Sequence, residues 1–299
     1  CWAISAHPHG QSVVASGKFA EKSLGELWEE QPDLFGYFES DRFPLLTKIL
    51  DANDDLSVQV HPDDEYANKF ENGELGKTEC WYIVDCDEDA DMIFGHHAQS
   101  KEEFVQLVED GNWEGLLQRV KIKPGDFFYV PSGTIHALCK GTLVLETQQS
   151  SDTTYRVYDY DRRGQDGKLR ELHLDKAIDV TTVPHTAAKI EPAIAKTAGG
   201  SITTFVEEDY FTLYKWDITN SLSLTQERYF TLVSVINGEG KIISEDKEYS
   251  IKYGDHFIIP HEMHSFTIEG QVQLIASQPN SKGGHQREMA STARQMANV

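Results

Sequence analysis

Leu56-Ser57-Val58-Gln59-Val60-His61-Pro62-Asp63-Asp64-Glu65 alternates apolar and polar side chains up to a proline. Successive residues of a strand point to opposite faces, so Gln59 and His61 project together while Val58 and Val60 face the other way. Two metal-capable side chains on one face, with a Pro closing the ladder, suit the edge of a metal site. By itself the pair also fits a half-exposed strand face, and only partners elsewhere in the chain can decide between the two.

Two later stretches supply them. Gly76-Lys77-Thr78-Glu79-Cys80-Trp81-Tyr82-Ile83-Val84 reads as another strand, with Lys77 and Glu79 sharing a face. Gly125-Asp126-Phe127-Phe128-Tyr129-Val130-Pro131-Ser132-Gly133-Thr134-Ile135-His136 reads as a strand, a Pro-Ser-Gly turn, and a His at the start of the next strand. Gln59, His61, Glu79 and His136 form an N/O ligand set suited to zinc or a similar divalent ion, with one position left for substrate or water.

The chain has 299 residues, 39% hydrophobic and 25% charged, enough for one large or two modest domains. A net charge of −22 argues against nucleic acid and anionic membrane surfaces as partners, though not against an anionic small molecule. No apolar run is long enough for a membrane helix. Cys1, Cys80, Cys86 and Cys139 lack C-x-x-C spacing, which points to a reducing, cytoplasmic setting.

Elsewhere, Ser23-Leu24-Gly25-Glu26 and Ser100-Lys101-Glu102-Glu103 are capping-box patterns. The first opens a helix with Leu27 and Trp28 on its apolar side. The second starts a helical insert over about 100–119, expected to cover one end of a sheet. Leu172–Ile178 reads as a short helix, and the Pro-, Ala- and Gly-rich segment 186–200 as a linker. Lys48 lies in the apolar run Phe43–Ala52, where it either snorkels to solvent or faces a polar pocket. Arg156 could pair structurally with Asp159 or Asp161.

From Ile202 to Ser277 the chain is again strands and turns. Gly254-Asp-His-Phe-Ile-Ile-Pro260 echoes Gly125-Asp-Phe-Phe-Tyr-Val-Pro131, and His264 comes after it as His136 does in the first copy. This is the signature of two copies of one β unit. The second copy has no upstream Gln-x-His or Lys-x-Glu, so it is expected to be metal-free. Residues 281–299 read as a polar tail.

Gly125-x5-Pro131-x-Gly133-x2-His136 is the second motif of the cupins, small double-sheet jelly rolls. With Gln59-Val-His61-Pro62-Asp63-Asp64, Gly76-Lys77-Thr78-Glu79-x-Trp81-Tyr82 and Thr154-Tyr155-Arg156 in order, the chain resembles type I mannose-6-phosphate isomerases of the short bacterial form, from residue 1 to about 278. The resemblance implies a mainly β fold with two cupin β-barrel domains. These would be a catalytic one over 1–185 and a degenerate one over 201–280. It also implies an N-terminal strand region ahead of Cys1.

Further implications concern the chemistry. One zinc ion per chain would be held by Gln59, His61, Glu79 and His136, and mannose 6-phosphate and fructose 6-phosphate would interconvert through an enediol(ate). Lys77, Glu146 and Arg156 map to catalytic positions, and Lys48, Lys77 and Arg156 to substrate contacts. The partner would be a sugar phosphate and the protein a monomer or weak homodimer. A non-catalytic sugar-binding cupin, an isomerase of another sugar phosphate and a metal-dependent oxygenase are the competing readings. An oxygenase favours a more His-rich set, which Gln59 and Glu79 weigh against.

Overall fold

The computed structural model describes residues 1–164, 167–226 and 229–280. The polar tail therefore lies outside the described residues. The chain is mainly β, as expected, and separates into two compact units, Cys1 with Lys48–Lys189, and Trp2–Thr47 with the residues from Ile190 on.

The N-terminal stretch holds β1 (Trp2–Ile4), β2 (Ala6–His7), β3 (Gly10–Gln11) and α1 (Leu24–Glu30). Next come β4 (Leu45–Ala52), β5 (Val58–Val60), α2 (Asp64–Phe70), β6 (Glu79–Cys86), β7 (Asp91–His96), α3 (Lys101–Glu109) and α4 (Trp113–Leu116). They are followed by β8 (Leu117–Lys121), β9 (Phe127–Val130), β10 (His136–Leu138), β11 (Thr142–Gln149), β12 (Tyr155–Tyr158) and α5 (Leu174–Val180). The remaining strands are β13 (Ala193–Thr197), β14 (Gly200–Glu207), β15 (Phe211–Ile218), β16 (Ser221–Thr225), β17 (Thr231–Ser244), β18 (Lys247–Lys252), β19 (His256–Ile259) and β20 (Ser265–Pro279).

Within residues 48–189, one sheet runs β4–β11–β6–β9 and the other β12–β5–β10–β7–β8. They form a jelly-roll pair of separate sheets rather than one continuously hydrogen-bonded barrel. Trp81, Ile83, Val130 and Val144 from the first sheet share a core with Met92, Phe94 and Leu138 from the second. The outer face of the second sheet carries Val58, Val60, Ala137, Tyr155 and Val157, packed with Phe104, Val108, Leu116 and Ala177 of the helices. The helical insert thus covers a sheet face, not an end, because that face is the one left apolar. Strand parity then turns Gln59, His136 and Arg156 inward, between the sheets.

The capping box at Ser23 is complete, whereas the one at Ser100 is half made. Ser100 accepts from the Glu103 N–H, but the Glu103 carboxylate takes the N–H of Gln99 instead.

The second unit differs most from the sequence expectation. Residues 2–47 group with it rather than with 48–189 because Phe35 and Phe43, both buried, pack against Trp28, Phe43 edge-on, and gather around Phe230. The 186–200 segment is not wholly a linker, since β13 pairs with β14 along its whole length. An eight-stranded sheet has the order β13–β14–β15–β20–β17–β18, with β16 on β20 and β19 on β17.

The internal echo is a repeat of hydrogen bonds. Asp126 and Asp255 each accept the N–H of the Lys three residues before, Lys123 and Lys252. Gly125 donates to Ile83 and Gly254 to Val235 in the same way. Glu79 is paired with Val130 in the first copy, and Thr231 with Ile259 in the second. A hydroxyl therefore stands in the second copy where the first has its carboxylate.

Candidate metal centre

His61, Glu79 and His136 place their ligand atoms within 4.8 Å of one another, all buried. Three different strand ends deliver them. Gln59 lies on β5 and His61 one residue beyond it; Glu79 opens β6 and His136 opens β10. Gln59 is the cross-strand partner of both His136 and Arg156, so Arg156, Gln59 and His136 form one lateral row. The Gln59 side-chain nitrogen is 3.3 Å from His136 Nε2, and its amide carries an oxygen on the other arm.

The turn before His136 is specified by Gly133. Its φ is +85°, and a Cβ there would lie 2.5 Å from Thr182 Oγ1. Its N–H donates to the His61 carbonyl at 2.9 Å, tying one histidine's turn to the other's backbone.

Hydrogen bonds fix both tautomers. His61 Nδ1–H donates to Thr153 O at 2.9 Å and His136 Nδ1–H to Thr134 O at 2.8 Å. Carbonyls only accept, so each Nε2 carries a lone pair toward the site. These atoms approach Glu79 at 3.4 and 3.1 Å, yet neither buried carboxylate oxygen has a hydrogen-bond donor among the described residues. Two lone pairs facing an anion repel it, and the Lys77 ammonium offsets this only on the His61 side. The donor set thus fits a divalent ion.

Two ammonium groups border the ligands. Lys77 Nζ is 3.3 Å from Glu79 Oε2 and 3.1 Å from His61 Nε2. Lys48 is buried, 3.1 Å from Glu146 Oε1, so it faces the polar pocket rather than solvent. Glu146 Oε2 accepts the Trp81 indole N–H at 2.8 Å. Burial pushes the Glu79 carboxyl up, but the Lys77 ammonium beside it outweighs this and holds the group well below the carboxylate range. Burial, then the Lys77 charge, lowers Lys48. Asp159 is engaged by Arg162 and Arg170, not by Arg156. Arg156 donates from Nη1 to Glu171 O, and its buried Nε has no hydrogen-bond partner among the described residues.

Burial and the Lys77 charge also depress His61 from 6.5 to about 3. The unfolded chain therefore binds more protons below pH 6.5. Stability is fully present above that value and declines as pH falls toward 3, by up to roughly 1.4 kcal/mol per unit. Thermal midpoints of chelator-treated protein should fall steadily from pH 7 to 5. Flat midpoints over that range would contradict a neutral buried His61.

Known proteins resemble this chain in sequence and in fold. Residues 1–88 match the family profile "Phosphomannose isomerase type I, catalytic domain", and residues 201–279 match "Mannose-6-phosphate isomerase, cupin domain". Mannose-6-phosphate isomerase ManA of Bacillus subtilis (strain 168) is 56% identical over 277 residues, 93% of this chain and 88% of that protein. The chain belongs to the type I mannose-6-phosphate isomerase family. The relative from Streptococcus mutans, named mannose-6-phosphate isomerase, is 51% identical over 93% of this chain and 88% of its own. The crystal structure of the Bacillus subtilis mannose 6-phosphate isomerase superposes with a TM-score of 0.91 at 57% identity, covering 93% of this chain and 88% of that one. A mutant phosphomannose isomerase from Salmonella typhimurium shares the fold at a TM-score of 0.76 and 15% identity, over 93% and 90%.

Relative to the sequence reading, all four ligand candidates, Lys77, Lys48 and Glu146 come together between the sheets. Arg156 adjoins them only through its backbone register with Gln59, and its guanidinium contacts Glu171 O. The reading missed Gln148, a buried neighbour of Lys48, although its two-residue spacing from Glu146 on β11 already placed both on one face.

Proposed function

We infer that this chain interconverts mannose 6-phosphate and fructose 6-phosphate. The observation that carries this is the buried Glu79, faced by two histidine lone pairs and bordered by Lys77, with the Lys48–Glu146 pair close by. Gln59, His61, Glu79 and His136 would hold one zinc ion, an assignment supported by an N/O set with no thiolate. Bound there, the ion supplies Lewis acidity to the substrate's carbonyl and hydroxyl oxygens.

The chain's own residues do the rest. Isomerisation moves one proton between C2 and C1 and exchanges a proton between O1 and O2. Lys77 and Glu146 are the two groups assigned to these transfers. Glu146 is held by Trp81 on one oxygen and by Lys48 on the other, so its orientation is set before substrate arrives. Arg156, with its buried Nε unpartnered, is assigned to the substrate's phosphate or developing oxyanion, and Lys48 to a further substrate oxygen.

The thiols of Cys80, Cys86 and Cys139 form no disulfide among the described residues, which supports a cytoplasmic location. We expect a monomer or weak homodimer.

A coupled assay of fructose 6-phosphate formation tests this reading. Activity should vanish with chelator, return with zinc, and be absent in His136→Ala. A folded, zinc-loaded chain without turnover on mannose 6-phosphate would overturn it.

A further inference from the structure

We propose that Gln148 is a positioning residue for Lys48, holding its ammonium against Glu146 so that the charge meets the substrate at one fixed place. This rests on the assignment of Lys48 to substrate contact. Gln148 is 0% exposed on β11, directly across from the ligand Glu79 on β6. Both hydrogens of its amide are used, one donating to Gln149 O at 2.8 Å and the other to Ser151 O at 2.7 Å. Turning the amide over would set its oxygen against two carbonyl oxygens, so the orientation is locked. The oxygen is thereby aimed at Lys48 Nζ, 2.5 Å away.

The arrangement answers a specific problem. A lysine ends in a flexible stem with rotatable donors, unlike the rigid fork of arginine. Two carboxylates, Glu79 and Glu146, act electrostatically on Lys48, and the Lys77 charge opposes it. A neutral acceptor fixed between Glu79 and Lys48 holds the ammonium on the Glu146 side without adding a charge that would cancel it. Gln148 touches no reacting atom in this scheme; it acts only through Lys48.

The test is a double-mutant cycle on the zinc-loaded full chain, with Gln148→Met, Lys48→Met and the pair, reading KM and kcat for mannose 6-phosphate. Losing a hydrogen bond to a buried charge should raise KM about tenfold or more in each single variant. The double variant should then be no worse than Lys48→Met alone. If the two effects multiply, Gln148 acts independently of Lys48 and the proposal is overturned, while the Lys48 assignment stands. An unchanged KM in Lys48→Met overturns both. Gln148→Met removes the donors to two buried carbonyls and could fail to fold. In that case Gln148→Asn, which keeps an amide with its two donors but withdraws the oxygen from Lys48 by one methylene, should raise KM in the wild-type background and leave it unchanged in Lys48→Met. A rise in both backgrounds would again overturn the proposal.

Discussion

Replacing Glu79 by Ala is expected to strip the metal from the chain and lower activity about a thousandfold or more. The carboxylate is the only anion among the three clustered ligands, and it is 0% exposed. Two neutral imidazoles and a neutral amide remain without it, beside the Lys77 ammonium that lay 3.3 Å from the lost oxygen. The ammonium would then repel a cation, with nothing to offset the repulsion. It would also be a buried charge without its partner, which costs about 3–5 kcal/mol. Glu79→Ala should therefore melt earlier as well as lose its metal. Glu79→Gln separates the effects, since it keeps the shape while removing the charge. It should recover part of the stability and none of the activity. Metal per chain by elemental analysis, thermal midpoint and the coupled assay read the three quantities. Full metal content and near-normal turnover in either variant would remove Glu79 from the site.

The residues that make the site were legible because a strand's two-residue period reports facing directly. Gln59 and His61, and Lys77 and Glu79, are each separated by two positions at or just beside a strand end, and each pair ends in the same chamber; Glu146 and Gln148 have the same spacing on β11, but only Glu146 was read as a site residue. The echo around Gly125 and Gly254 was legible for a related reason, since a turn with a left-handed glycine and a carboxylate cap demands the same residue types wherever it recurs. Relations between distant segments were not. Nothing local to Lys48 says that its partner lies 100 residues on. Nor does the helix around Trp28 announce that Phe230 completes its apolar cluster. Both depend on which strands become neighbours, information that hydropathy patterns do not carry.

Gly76→Ala is the second large effect, although Gly76 touches no ligand. A Cβ there would lie 2.5 Å from both the Asp63 carbonyl carbon and the Asp64 nitrogen, so backbone rather than a pliable side chain has to move. That backbone is pinned from several directions. The Gly76 N–H donates to Asp64 Oδ1 at 2.8 Å, and the same oxygen accepts the Gln149 side-chain N–H at 2.9 Å. Lys77 N–H donates to Pro62 O at 3.0 Å, and Thr78 N–H to Gln149 Oε1 at 2.9 Å. Relief of the clash must shift the 76–78 segment, and with it Lys77 and Glu79. Overpacking of this kind costs about 1–3 kcal/mol. A displacement near 1 Å at reacting groups costs about a hundredfold in rate. The expected result is a modest drop in thermal midpoint with kcat reduced about a hundredfold. Gly73→Ala is the control, because its φ is +83° and a Cβ there meets nothing within 4 Å. It should cost about 1–2 kcal/mol of backbone strain and leave kcat unchanged. If Gly73→Ala and Gly76→Ala lost activity only in proportion to their stability, the 76–78 segment would be a structural turn and not the support that holds Lys77 and Glu79 in place.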